Sequence, residues 1–223
     1  MLALSLLFTL IIPVHAAETD IVVLYTNDIH TYIDNAVGDG NENNLTYSKV
    51  AALKDSLNNS ILVDAGDHIQ GTAFGSMDKG ATIIKLMNAA GYDVATLGNH
   101  EFDYSMTGCL NAIEAADFPY VSSYFYHEKD GVAGNTVLNS YKIVEKAGTK
   151  IAFVGITTPE SFTKTTPAYF QDGNGNYIYG IAGGNDGSAL YDAVQKAIND
   201  AKAAGADYII ALGHLGIDPS SSP

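Results

Sequence analysis

Residues 61–72 read ILVDAGDHIQGT. A short run of branched apolar residues closed by a glycine reads as a buried strand. Gly66 lets the backbone turn sharply at its end. Asp67 is then presented at the carboxyl edge of the sheet, where open α/β sheets bind ligands. Three other stretches repeat the plan: Asp28-Ile29-His30 after IVVLYT (residues 21–26), Asn99-His100 after Leu97-Gly98, and His214 after IIALG. Oxygen and imidazole donors gathered from separate strand ends are how an α/β sheet assembles a two-metal hydrolytic site.

Between these stretches strands and helices alternate. The Gly- and Asn-rich residues 34–44 read as an exposed loop. A helix follows, with Val50, Leu53 and Leu57 on one face. Residues 79–90 are a second helix with Ile83, Met87 and Ala90 aligned and Gly91 as its stop. A strand is expected over 93–97 and a helix over 105–115. Residues 139–157 read as two strands around an Ala-Gly-Thr turn. Residues 158–188 read as a long surface excursion. Leu190, Val194 and Ile198 then mark a helix, and 207–212 a strand. The pattern is α/β with an antiparallel element, hence a mixed sheet.

Composition narrows the function. The 223 residues carry a formal charge of −14, a surface that repels polymeric nucleic acid. A phosphate-bearing substrate would need local cations to offset that field. The single cysteine excludes an internal disulfide. Met106, Cys109, Leu110 and Ile113 share a helix face, so Cys109 is expected in the core. Residues 1–16 read as an export signal ending in Val14-His15-Ala16, although no Lys or Arg precedes the apolar run. That run is too short for a comfortable membrane span. The mature chain is expected to begin near Ala17 and to work outside the cytoplasm, and His15 drops out as a ligand.

Taken singly, each stretch has a plain structural reading. Asp28-Ile29-His30 fits a capped turn, Asp67 a turn cap, and His214 a locally satisfied imidazole. If strand geometry persists through them, Asp28 and His30 leave one face. Asp64 either orients a ligand or serves the core. His68 is expected on the surface or supporting a ligand, and Glu101 in a structural role. His100 is either a ligand or a proton donor. Asp103, three residues on, can hold one of its ring nitrogens.

Jointly, the order D-x-H, G-D, G-N-H-E, G-H resembles the calcineurin-like metallophosphoesterases. TNDIH, DAGDHIQGT, LGNHEFD and GHLG are similar to the 5′-nucleotidase branch, which includes secreted 2′,3′-cyclic-nucleotide phosphodiesterases. The resemblance runs from about Ile21 to Ile217. It implies a four-layer α/β/β/α sandwich of two mixed sheets with helices outside, and two divalent ions of the Zn or Mn type. Asp28 and His30 would bind the first, Asp67 would bridge, and Asn99 and His214 would bind the second. His100 with Asp103 would be the catalytic dyad, and water would attack phosphorus in line with the leaving oxygen. The implied substrate is a nucleotide monoester or cyclic diester. A sister class hydrolyses sulfur esters on a similar scaffold, and a non-catalytic secreted metal-binding module is the remaining reading. The family continues beyond the His214 motif to a G-H-x-H or similar segment and a C-terminal domain that holds the nucleoside between aromatic rings. Residues 215–223 carry no His. The expected organisation is therefore a signal peptide (1–16) and a C-terminally truncated catalytic domain (17–223).

Overall fold

The structure, a computed structural model, describes residues 20–33, 46–181 and 187–216. The expected signal segment and the expected loop at 34–44 lie outside them. Four parallel strands form the first sheet, in the order β1 (Val22–Thr26), β2 (Ser60–Asp64), β3 (Val94–Thr96), β4 (Tyr120–Val121). Parallel neighbours need crossovers. These are supplied by helices α1 (Tyr47–Asp55), α2 (Ala73–Asp78), α3 (Ala81–Ala90) and α4 (Ser105–Ala115).

Every residue of β2 is buried, as expected of a parallel strand covered on both faces. Alternation divides its side chains. Leu62 packs into the cluster formed with α3 and α4, which includes Ile83, Met87, Met106 and Cys109. Ile61 and Val63 face the other way, with Val94 and Val121, against Ile151, Phe153 and Leu212. Those last three belong to a second sheet. Its strands β7 (Tyr141–Lys146) and β8 (Thr149–Thr157) are an antiparallel hairpin, and β10 (Tyr208–His214) runs parallel to β8. Helix α6 (Ser188–Ala203) contacts all three of these strands and buries Ala197 and Ala201. The layers are helix, sheet, sheet, helix. No helix among the described residues is long and apolar enough to cross a membrane.

Several local expectations give way to tertiary detail. Helix α1 ends at Asp55, so Leu57 lies beyond it, and Leu53 is exposed. The helix expected to begin at Lys79 begins at Ala81. Lys79 and Gly80 both take positive φ (57° and 82°) and separate α2 from α3. A Cβ at Gly80 would run into the Ile69 side chain, so the break is built into the packing.

Of the expected surface excursion, the described residues 158–181 are instead built into the fold. They contain helix α5 (Ser161–Lys164), a 3₁₀ turn (Pro167–Phe170) and strand β9 (Tyr179–Ile181). Phe170 is fully buried against Phe162 and Phe102. The strand β9 pairs antiparallel with β5 (Phe125–Lys129), which also pairs with β6 (Val132–Thr136). The β5–β6 turn is Asp130-Gly131, both at positive φ, the two-residue hairpin geometry this dipeptide favours.

The two main sheets approach closely at one point. Gly155 in β8 donates its amide to the Ser140 carbonyl and accepts from the Ser123 amide. A Cβ there would collide with the Val121 carbonyl. Gly155→Ala should therefore destabilise the protein by about 1–3 kcal/mol through overpacking. Urea unfolding measures it. Gly173→Ala, at a glycine with nothing near its missing Cβ, should stay within about 0.5 kcal/mol of the parent.

Candidate metal centre

The loops after β1 and β2 are built from residues in the left-handed region. Asp28, His30, Thr31 and Asp67 have φ of 51°, 47°, 61° and 59°. The strand ends at Thr26, so Asp28 and His30 do not leave a common strand face. They converge because the loops are laced together: the Asp28 amide donates to the Gly66 carbonyl and the His30 amide to the Asp67 carbonyl, each at 3.0 Å. From the other side the loop after β3 presses in. A Cβ at Gly98 would collide with the Asp67 carboxylate, and the His100 amide donates to Asp67 Oδ1 at 2.8 Å. His214, the last residue of β10, reaches across from the second sheet to put Nε2 3.2 Å from Asp67 Oδ2.

Both candidate imidazoles are oriented by main-chain oxygens. His30 Nδ1 lies 3.0 Å from the Gln70 carbonyl and His214 Nδ1 lies 2.9 Å from the Ala65 carbonyl. A carbonyl only accepts, so Nδ1 carries the hydrogen and Nε2 faces the carboxylates, the arrangement typical of metal-binding imidazoles. Nε2 of His30 is 3.6 Å from Asp28 Oδ1 and 3.9 Å from Asp67 Oδ2. Two groups result, each with its ligand atoms within 4.8 Å of one another: Asp28, Asp67 and His214, and His30, Asp67 and His100. Asp67 belongs to both. Asn99 immediately precedes the 3₁₀ turn His100–Phe102 and is half-buried; its side-chain amide has no hydrogen-bond partner among the described residues. This mixture of carboxylate and imidazole donors suits a divalent ion. His100 has a second tie: its Nδ1 is 2.6 Å from Asp103 Oδ2.

Charge in the site is set by partners that outweigh burial. Burial opposes ionisation of Asp67, but the His214 hydrogen bond and charge, with the His100 amide, outweigh it and hold the carboxyl below its ordinary range. Burial likewise opposes protonation of His214, and contact with Asp67 overrides it, raising the imidazole to about 9.

Beneath the site lies a polar network only half visible in the sequence. His68 is not at the surface but fully buried, with Nδ1 2.8 Å from Asp64 Oδ1 and Nε2 2.7 Å from the Tyr120 hydroxyl. Burial disfavours its cation, but the charges of Glu101 and Asp64 prevail and raise it to about 9. Asp64 also accepts from Thr26 Oγ1 (2.5 Å) and the Gly66 amide (2.8 Å). Glu101, also buried, accepts from the amides of Gly98, Asp67, His68 and Ile69 at 2.6, 2.8, 2.9 and 3.4 Å. The available signal was Asp64 itself: an acid closing a fully apolar strand is rarely buried unless paired. Two clefts flank Asp28. One of about 400 Å³ is walled by Tyr25, Tyr32, Tyr47 and Tyr92, and one of about 490 Å³ lies between β1 and β10 beside His214.

Because His214 holds a proton to about pH 9 without a cation, a cation binding at its Nε2 must displace that proton. Affinity should rise with pH, by about tenfold per unit for each proton displaced, until that pH is reached, and then level. Titrating Mn²⁺ across this range measures the slope, and His214→Ala should flatten it.

The comparisons agree with this geometry. The family model for calcineurin-like phosphoesterase matches residues 21–223. The snake venom 5′-nucleotidase of Gloydius brevicauda is 29% identical over 221 residues, covering 94% of this chain and 35% of that protein. The calcineurin-like phosphoesterase YfkN of Bacillus subtilis superposes with a TM-score of 0.69 at 26% identity, over 90% of this chain and 64% of that one. The sulfate thiohydrolase SoxB of Thermus thermophilus also gives 0.69, over 92% of this chain and 45% of that one, but its 15% identity speaks to fold alone. The chain spans about a third of the length of the venom enzyme it matches. With the sheet order, the strand-end donors and the matched span in agreement, the chain belongs to the calcineurin-like phosphoesterase family.

Proposed function

We propose that this protein hydrolyses phosphate esters of nucleotides, using two divalent cations held by Asp28, His30, Asp67, Asn99 and His214. The observation that carries the reading is Asp67, a buried carboxylate common to two donor groups. The relatives support the substrate class, being a 5′-nucleotidase and a phosphoesterase. When bound, such a cation pair supplies positive charge at the phosphoryl oxygens and an activated water.

The chain's own residues divide the remaining work. Asp67, with the His100 amide on one oxygen, presents the other toward His214 and His30. Asp103 holds His100 Nδ1 and so fixes the ring with Nε2 free. At Nε2 a proton can be held against the phosphoryl group or passed to the leaving oxygen. Neither role requires His100 as a ligand, although its ring lies close to His30, with centroids 5.1 Å apart. The apolar segment at 1–16 supports a site of action outside the cytoplasm. A sulfur-ester substrate rests on fold likeness alone and is the secondary reading.

The test uses the full-length protein with Mn²⁺ or Zn²⁺ on a nucleoside 5′-monophosphate, a 2′,3′-cyclic nucleotide and a sulfur ester. Phosphate release from the monophosphate, or opening of the cyclic nucleotide to a monoester, is expected; the absence of both with both metals bound, or turnover of the sulfur ester alone, overturns the proposal. His100→Asn should retain its metals and lose about 10²–10⁴-fold in turnover. The loss should shrink for nitrophenyl esters if His100 is an acid. Asp67→Ala should lose metal more severely than Asn99→Ala.

A further inference from the structure

We infer that Glu101 is a positioning residue whose carboxylate clasps two ligand-bearing loops and so fixes Asp67. The inference rests on the reading of Asp67 as a metal ligand. Pairing between β2 and β3 stops at Asp64 and Ala95. Beyond that pair the chains carry Asp67 on one side and Asn99-His100 on the other. Nothing in the strand ladder then sets their spacing. Glu101 supplies what the ladder no longer does. Its Oε2 accepts from the Gly98 amide at 2.6 Å and the Asp67 amide at 2.8 Å, one from each loop. Its Oε1 accepts from the His68 amide at 2.9 Å and the Ile69 amide at 3.4 Å.

The clasp is reciprocal. Glu101 takes the Asp67 amide, and Asp67 Oδ1 takes the His100 amide. This commits Oδ1 of Asp67 to the protein and leaves Oδ2 toward His214 and His30. It also explains how Asp67 is kept at φ 59°, a conformation that persists only when its surroundings over-determine it. Bonds from amides to a buried carboxylate are charge-assisted and strong. Only an acceptor on both oxygens suits four donors. Glutamine would turn an NH₂ on two of those amides, and aspartate would be one carbon short.

The experiment compares full-length variants by Mn²⁺ titration. Glu101→Gln should weaken binding about 10–100-fold, the usual cost of removing a group that orients a ligand. Glu101→Asp should not restore it. Ile84→Val, at a fully buried position of helix α3 away from the layer between the sheets, should lower stability yet bind Mn²⁺ as the parent does. Parent-like Mn²⁺ affinity in Glu101→Gln overturns the inference. If in that case Asp67→Ala still loses metal, the ligand reading survives. If Asp67→Ala binds both ions normally, the ligand reading itself fails. Should Glu101→Gln not fold, amide exchange in the metal-free parent decides. The amides of Gly98, Asp67 and His68 should stay protected under chelation. Exchange as fast as in surface loops would mean that the cations, not Glu101, hold the loops, and would overturn the inference.

Discussion

Three carboxylates, Asp64, Asp67 and Glu101, are withdrawn from water within a few residues of two strand ends. A buried charge is tolerated only when it is paired and hydrogen-bonded, and this requirement organises everything around them. The main chain answers first: amides of Gly66, Asp67, His68, Ile69, Gly98 and His100 all turn toward carboxylate oxygens. One buried imidazole, His68, lies between Asp64 and Glu101, whose charges favour its protonated form. That leaves the upper surface of the cluster, where Asp67 meets Asp28, electronegative. The interior is satisfied from below and open to cations from above.

The architecture serves this arrangement. Asp67 and Asp28 come from the first sheet, while His214 arrives from the second. The apolar layer of Ile61, Val63, Phe153 and Leu212 sets the distance between them. A candidate metal centre whose donors come from both sheets is thus sensitive to the packing of the sandwich. A shift of one sheet against the other moves His214 relative to Asp67. The close contact at Gly155 restrains such a shift.

How much of this was legible in the sequence depends on range. The candidate donors that the structure brings together were legible because each short motif pairs a strand end with a turn-forming residue and a ligand type, all local information. The sandwich order followed from the family resemblance, and the parallel strands from continuous apolar runs such as Ile61–Val63. The buried network was only half legible: Glu101 was expected in a structural role, but three of the amides it accepts from lie more than thirty residues away. Of the two places expected for His68, the surface fails for the same reason: its partner Tyr120 is 52 residues distant. Strand β9 and the buried Phe170 were lost in Gly- and Asn-rich surroundings, where average composition hides a few anchoring aromatics. The turn at Asp130-Gly131 is a local signal that simple alternation would have found.

The left-handed backbone at Asp28, His30 and Asp67 bears on which amino acids this centre can use at all. Non-glycine residues rarely enter that region, and Asp, Asn and His are the ones that enter it most readily. These are also oxygen and nitrogen donors. Glutamate would offer the same carboxylate, and cysteine a stronger soft ligand, yet neither shares that conformational tolerance. The vocabulary of the site is therefore filtered twice, once by what a cation accepts and once by what the turn permits. A substitution that is chemically conservative, Asp67→Glu for instance, is conformationally radical. The shape of the chain has restricted the chemistry before any metal arrives.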